Sequence, residues 1–200
     1  MAGYCFRTNS IHAEVELIAR EFDNALPPKK SDSADRLIWF IDSYPNAQVQ
    51  RALPIVEKNF LDKSNENSVR KKCAIILGRI GANYKGQEAT SQLLGLLLTG
   101  MGESGNPQMV HECMGSIGEM AEARKWQDFD SVISPLLERV ADAKHPNGNP
   151  NIVHMALDVL EEIKPNDPAC LIYAEDVKKE LIEEKQYAGG RRLGGPYPAP

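Results

Sequence analysis

Three stretches of this chain lie over one another without a gap, and that register limits its fold more than any other feature. They are Val69 to Gly81, Met109 to Ala121 and Ile152 to Lys164, with starts 40 and 43 residues apart. In each, apolar or small residues stand at the first position and again four, seven, eight and eleven residues on. The sets are Val69, Cys73, Ile76, Leu77 and Ile80; Met109, Cys113, Ser116, Ile117 and Met120; and Ile152, Ala156, Val159, Leu160 and Ile163. That spacing is one face of a helix with about 3.6 residues per turn. The residue four along is small every time (Cys73, Cys113, Ala156), and Gly78 and Gly118 hold the place nine along in two copies. A glycine inside a helix costs about 1 kcal/mol relative to alanine. Its return at one register position therefore predicts the close approach of a neighbouring helix. A period of this length belongs to two-helix units stacked on one another into a curved array.

Start signals agree with the register. Asn106-Pro107 and Asn149-Pro150 each offer an N-cap followed by proline at the first helical position, and Asn67-Ser68 offers caps for the first copy. Partner helices are expected before each copy, over 47–61 with Pro54 marking a kink or a late start, over 88–99, and over 129–143. The repeats then span about 47–82, 88–123 and 128–164. Two helices lead them, 11–25 and 34–43, and one closes them, 169–185, so the helical domain covers 10–186. Residues 1–9 are expected to be a flexible N-terminus, and the glycine- and proline-rich 187–200 a disordered tail. No stretch alternates as a strand does, so the expected class is all-α.

Little in the sequence points to catalysis. Gly100-Met101-Gly102-Glu103-Ser104-Gly105 has the spacing of a dinucleotide-binding loop, but that loop needs a preceding strand within a βαβ unit. The leucine-rich residues before it occupy a partner-helix position, so the glycines read as the turn between two antiparallel helices. Histidines 12, 111, 145 and 154 and cysteines 5, 73, 113 and 170 lack the spacing of a zinc site, and no nucleophile has an evident base partner. No catalytic residue, metal or cofactor is expected. Trp39 and Trp126 are expected to fill space between helices.

Composition bears on partners and location. The formal net charge is −5, no apolar run is long enough to span a bilayer, and Met1 to Asn9 lacks the apolar core of a secretory signal. An intracellular protein, cytoplasmic or nuclear, with its cysteines as thiols is expected. Charge is polarised along the repeat helices. The first carries Arg70, Lys71, Lys72 and Arg79 with no acid over 68–82, the second Glu112, Glu119 and Glu122, and the third Asp158, Glu161 and Glu162. A nucleic-acid binder, the alternative reading, would show a basic stripe throughout. The leading expectation is a non-enzymatic scaffold or adaptor for protein partners, one subunit among several in a complex; an enzyme is the third reading.

The run Val69-Arg70-x-x-Cys73-x-x-Ile76-Leu77-Gly78-x-Ile80-Gly81 closely resembles the second helix of a HEAT repeat, and the resemblance extends over about 47–164. It implies a HEAT-type α-solenoid of about three helical hairpins with flanking helices. In such arrays the second helices line the concave wall. The resemblance therefore puts Lys71, His111 and His154 on one row there, and Arg79, Glu119 and Glu162 on another. With Arg70 and Lys72, these are the candidate protein-binding residues. The expected partner has an acidic patch near the first repeat and basic residues nearer the second and third. A narrower resemblance runs from Ser33-Ala34-Asp35-Arg36-Leu37-Ile38-Trp39-Phe40 through Val56-Glu57-Lys58 to Asn65-Glu66-Asn67-Ser68-Val69-Arg70. It is to the N-terminal part of the Integrator complex subunit 4 family, and implies a nuclear scaffold supporting an RNA-processing assembly.

Overall fold

The computed structural model describes residues 2–44, 49–83, 87–103, 105–124, 129–141 and 149–163, with Ile172, Glu175, Asp176 and Lys179 beyond them. The helices are α1 (Ala2–Asn24), α2 (Lys29–Ser43), α3 (Leu53–Leu61), α4 (Asn67–Asn83), α5 (Gln87–Met101), α6 (Pro107–Arg124), α7 (Asp130–Ala141) and α8 (Pro150–Ile163). No strand occurs among the described residues, and no helix of theirs is long and apolar enough to cross a membrane.

Local chemistry explains most boundaries. Asn106 Oδ1 accepts from the Met109 amide at 3.2 Å, and Asn149 Oδ1 accepts from the Asn151 amide at 3.0 Å. Each satisfies an amide of the first turn while the following proline, which has no amide to satisfy, opens the helix. Asn67 and Ser68 differ from expectation: they already lie inside α4, and Asn67 Oδ1 instead accepts from Asn106 Nδ2 at 3.1 Å. Pro54 marks a late start and not a kink. It falls in the first turn of α3, behind a 3-10 turn over Val49–Ala52, where a missing amide costs nothing. Helix α1 begins at Ala2 and so takes in most of the segment expected to be flexible. Extending a nucleated helix by a residue costs far less than starting one, so a weak apolar pattern does not stop it. The expected closing helix over 169–185 and the tail over 187–200 lie largely outside the described residues; Ile172, Glu175, Asp176 and Lys179 are helical.

Packing follows the register. Helix α4 packs on α2 and α6, and α6 packs on α8, so α2, α4, α6 and α8 stand side by side. Behind them α1, α3, α5 and α7 pack on α2, α4, α6 and α8 in turn. All fifteen residues of the three register sets are buried, Ser116 among them. The leading helices are thus joined as the expected hairpins are, with Val15, Ile18 and Phe22 of α1 sharing one continuous core with Ala34, Leu37, Phe40 and Ile41 of α2.

The glycine nine along behaves as its position predicts. A Cβ placed on Gly78 would lie 2.8 Å from Ser116 Cβ, and one on Gly81 2.5 Å from the Met120 thioether. Ser116 Oγ donates to Ala74 O at 2.9 Å across the same seam. Gly100 meets α6 and α3, where a Cβ would reach Cys113 Sγ at 2.5 Å and Phe60 at 2.6 Å. The described residues of the glycine-rich stretch therefore belong to the last turn of α5 and the bend before α6, and what precedes them is helix.

Candidate protein-binding surface

Burial of one face leaves the opposite faces of α2, α4, α6 and α8 turned outward together. The candidate residues distribute unevenly over this surface. Arg70 is not on it. Only 6% of its side chain is exposed; Nε donates to Phe60 O at 2.8 Å, and Nη1 and Nη2 donate to Glu103 at 3.0 and 2.6 Å. The guanidinium also lies 5.9 Å from the centre of the Phe60 ring. The hydrogen bond from Arg70 holds the Glu103 carboxyl below the usual glutamate range despite partial burial, and the same bond raises the arginine. This is a clamp joining α3, α4 and the end of α5, and it corrects the placement of Arg70 among surface residues. The physical reason is a carboxylate 33 residues away in sequence, which no local pattern reveals.

The other cations of α4 face outward but are engaged. Lys72 Nζ donates to Ser31 Oγ at 2.8 Å and Asp35 at 2.5 Å, both on α2. Lys71 Nζ donates to Gln108 of α6 at 2.9 Å. Arg79 bridges three helices: Nε lies 3.1 Å from Asp42 of α2, without hydrogen-bond geometry, and Nη1 pairs with Glu119 of α6. That last pair shows two members of the expected row, Arg79 and Glu119, standing together across neighbouring helices. His111, His154 and Glu162 are half-buried on α6 and α8.

Trp39 was expected between helices and is not there. Its side chain is 63% exposed, because the core side of α2 is built from Ala34, Leu37, Phe40 and Ile41, and position 39 falls opposite to them. Trp126 lies outside the described residues. Periodicity alone would have placed Trp39 correctly had Phe40, and not its neighbour, been taken as the core aromatic.

Chemically the surface offers hydrogen bonding, charge and one large aromatic. Cys73 and Cys113 are buried, and burial pushes both thiols up to about 12, which keeps them protonated and unreactive. Among the described residues no three histidine, cysteine or carboxylate side chains cluster as metal ligands would. No family model, no curated protein and no solved structure matches the chain.

Proposed function

We propose that the chain is a HEAT-type helical-repeat scaffold, without enzymatic activity, that holds a protein partner on the outward faces of α2, α4, α6 and α8. One observation carries the reading: these helices pack side by side in chain order, each backed by the helix before it, with equivalent register positions buried in α4, α6 and α8. A stacked array of this kind presents a long surface whose residues come from successive units, and such surfaces suit extended partners.

The electrostatics favour a protein over a nucleic acid. Arg70, Lys72 and Arg79 are paired with Glu103, Asp35, Asp42 and Glu119, so the basic helix offers little uncompensated charge to a phosphate backbone. The same pairing removes the reason to expect an acidic patch on the partner near α4. Glu112 and Glu122 of α6 and Glu162 of α8 are acidic positions outside those pairs, and the partner is proposed to be basic there. The resemblance of 33–85 to the Integrator complex subunit 4 family makes a nuclear, multi-subunit RNA-processing assembly the proposed setting.

The test is recovery of a partner with the intact chain, reconstitution from pure components, and cross-linking of the complex. Cross-links on the outward residues of α2, α4, α6 and α8 are expected. Cross-links confined to α1, α3, α5 and α7 would overturn the assignment of the surface.

A further inference from the structure

Helix α1 is fastened to the array by charge more than by any buried bond. Among the described residues, the hydrogen bonds between its side chains and other elements all run one way, into carboxylates of α1. Glu16 accepts from Arg51 at 2.7 Å and Glu21 from Arg36 at 2.6 Å. Asp23 accepts from Lys58 at 3.0 Å and from Asn59 at 2.9 Å. In the Glu16 and Glu21 pairs both partners are more than a third exposed, so each holds weakly. Beneath them Val15, Ile18, Ala19 and Phe22 are buried, and α1 packs on α2, the Val49–Ala52 turn and α3.

The connector from α1 to α2 also differs from the other described connectors. Between α3 and α4, Asn65 Nδ2 donates to Asn59 O at 3.0 Å and Ser64 Oγ to Asp62 at 2.6 Å. Between α5 and α6, Glu103 is held by Arg70 and Asn106 by Asn67. No side chain among the described residues bonds to Ala25-Leu26-Pro27-Pro28, and Leu26 is 78% exposed. Pro27 and Pro28 have no amide with which to be tied. Leu26 and Pro27 each precede a proline, which turns them away from helical conformation and keeps α1 and α2 from fusing into one helix. These four residues are a hinge, and extended they reach about 13 Å.

We propose that α1 is a hinged lid that two copies of the chain exchange, each laying its α1 into the groove that the other's α1 has left. The groove selects this occupant. Its floor is apolar, built on the core side of α2 (Leu37, Phe40, Ile41) and on the Val49–Ala52 turn, and its rim carries Arg36, Arg51 and Lys58. A lifted α1 leaves that floor in water and the three cations without their carboxylates, so only an acidic amphipathic helix restores both. The α1 of a second copy has the required sequence and is uncovered by the same movement. Reciprocal exchange then remakes every contact, and its cost is confined to the hinge and to association. The tether favours a chain's own groove, so the parent is monomeric when dilute and exchanges as concentration rises. The exchange is independent of what the outward faces hold.

Two full-length variants test it. One carries Glu16→Arg with Glu21→Arg, the other Arg36→Glu with Arg51→Glu. Alone, each sets like charges against each other, whether α1 is in its own groove or in that of an identical copy. Mixed, an exchanged heterodimer restores all the pairs, because the two reversed surfaces meet and the two unreversed ones meet. Each variant alone should be a monomer with a lowered Tm. The equilibrated mixture at low salt should show twice the chain mass by light scattering and a Tm back near that of the parent. With one variant isotopically labelled, cross-links from α1 to α2 should join different chains. The effect of mixing should fade at high salt, where the repulsion is screened. Folded variants that stay monomeric when mixed would overturn the proposal. So would a mixed dimer whose α1–α2 cross-links all lie within one chain. Should either reversal prevent folding, amide exchange of the parent decides. Residues 13–24 should then exchange about tenfold or more faster than α2, and equal rates would show that α1 does not open on its own.

Discussion

Gly115 and Ser116 are consecutive residues of α6, and they border two unlike regions. On the Ser116 side, the seam with α4 has no room for a methyl group on Gly78, and a buried hydroxyl donates across it. On the Gly115 side the surface is open. The seam glycine is explained by what it touches, whereas the outward glycine has no neighbour among the described residues that requires it.

The contrast can be broken most sharply at Gly78. Gly78→Leu should destabilise by about 3 kcal/mol, because a side chain must displace Ser116 from a packed seam; a urea midpoint equal to the parent's would mean the seam is not as tight as described. Next in size is the clamp beneath it. Arg70→Met should cost about 2–3 kcal/mol by leaving Glu103 and Phe60 O without their donor. Because the folded state depresses the Glu103 carboxyl, the clamp's contribution is present in full above its unfolded pKa of about 4.3 and fades as pH falls through the lower folded value. The stability gap between parent and Glu103→Gln, followed by urea unfolding from pH 7 downward, should therefore close below about pH 4. A gap constant with pH would rule out the ion pair as its source.

Ser116→Ala removes one buried donor from the Ala74 carbonyl and should cost about 1–2 kcal/mol, measured by the same unfolding curves. On the open side the sign reverses. Gly115→Ala should stabilise by up to about 1 kcal/mol, since it gains helix propensity and meets no neighbour; a loss of thermal stability would show that the open side is filled from within. Smallest of all is Glu16→Gln, which removes the 2.7 Å pair with Arg51. Both side chains are more than a third exposed, so a change below about 0.5 kcal/mol is expected.

The legibility of the chain followed the range of the interactions. The register of Val69, Met109 and Ile152 is local periodicity, and it located the buried faces, the small residues Cys73, Cys113 and Ala156, and the proline-led starts of α6 and α8. The fate of Arg70 depended on Glu103, which belongs to a turn between two later helices. Lys72 and Arg79 were likewise counted as free charge because Asp35 and Asp42 lie on a helix read as a mere leader. Trp39 was misplaced by residue type and not by range: Trp39 and Phe40 are adjacent, only one can face inward, and the register of Ala34, Leu37 and Ile41 already selects Phe40. Gly115 sat unremarked beside the two glycines that the repeat made conspicuous.

The Arg70 clamp has a consequence for how the array comes apart. Its guanidinium holds the last turn of the helix before it and the bend between the two helices of the unit after it. Arg139 of α7 reaches back in a comparable way, donating to the carbonyl of Met101 at the end of α5 at 3.1 Å. Hairpins stitched forwards and backwards cannot fray one at a time from the end, as units with only nearest-face contacts do. Amide exchange should therefore report α2 to α7 opening together as one cooperative block, with protection falling first at α1 and α8.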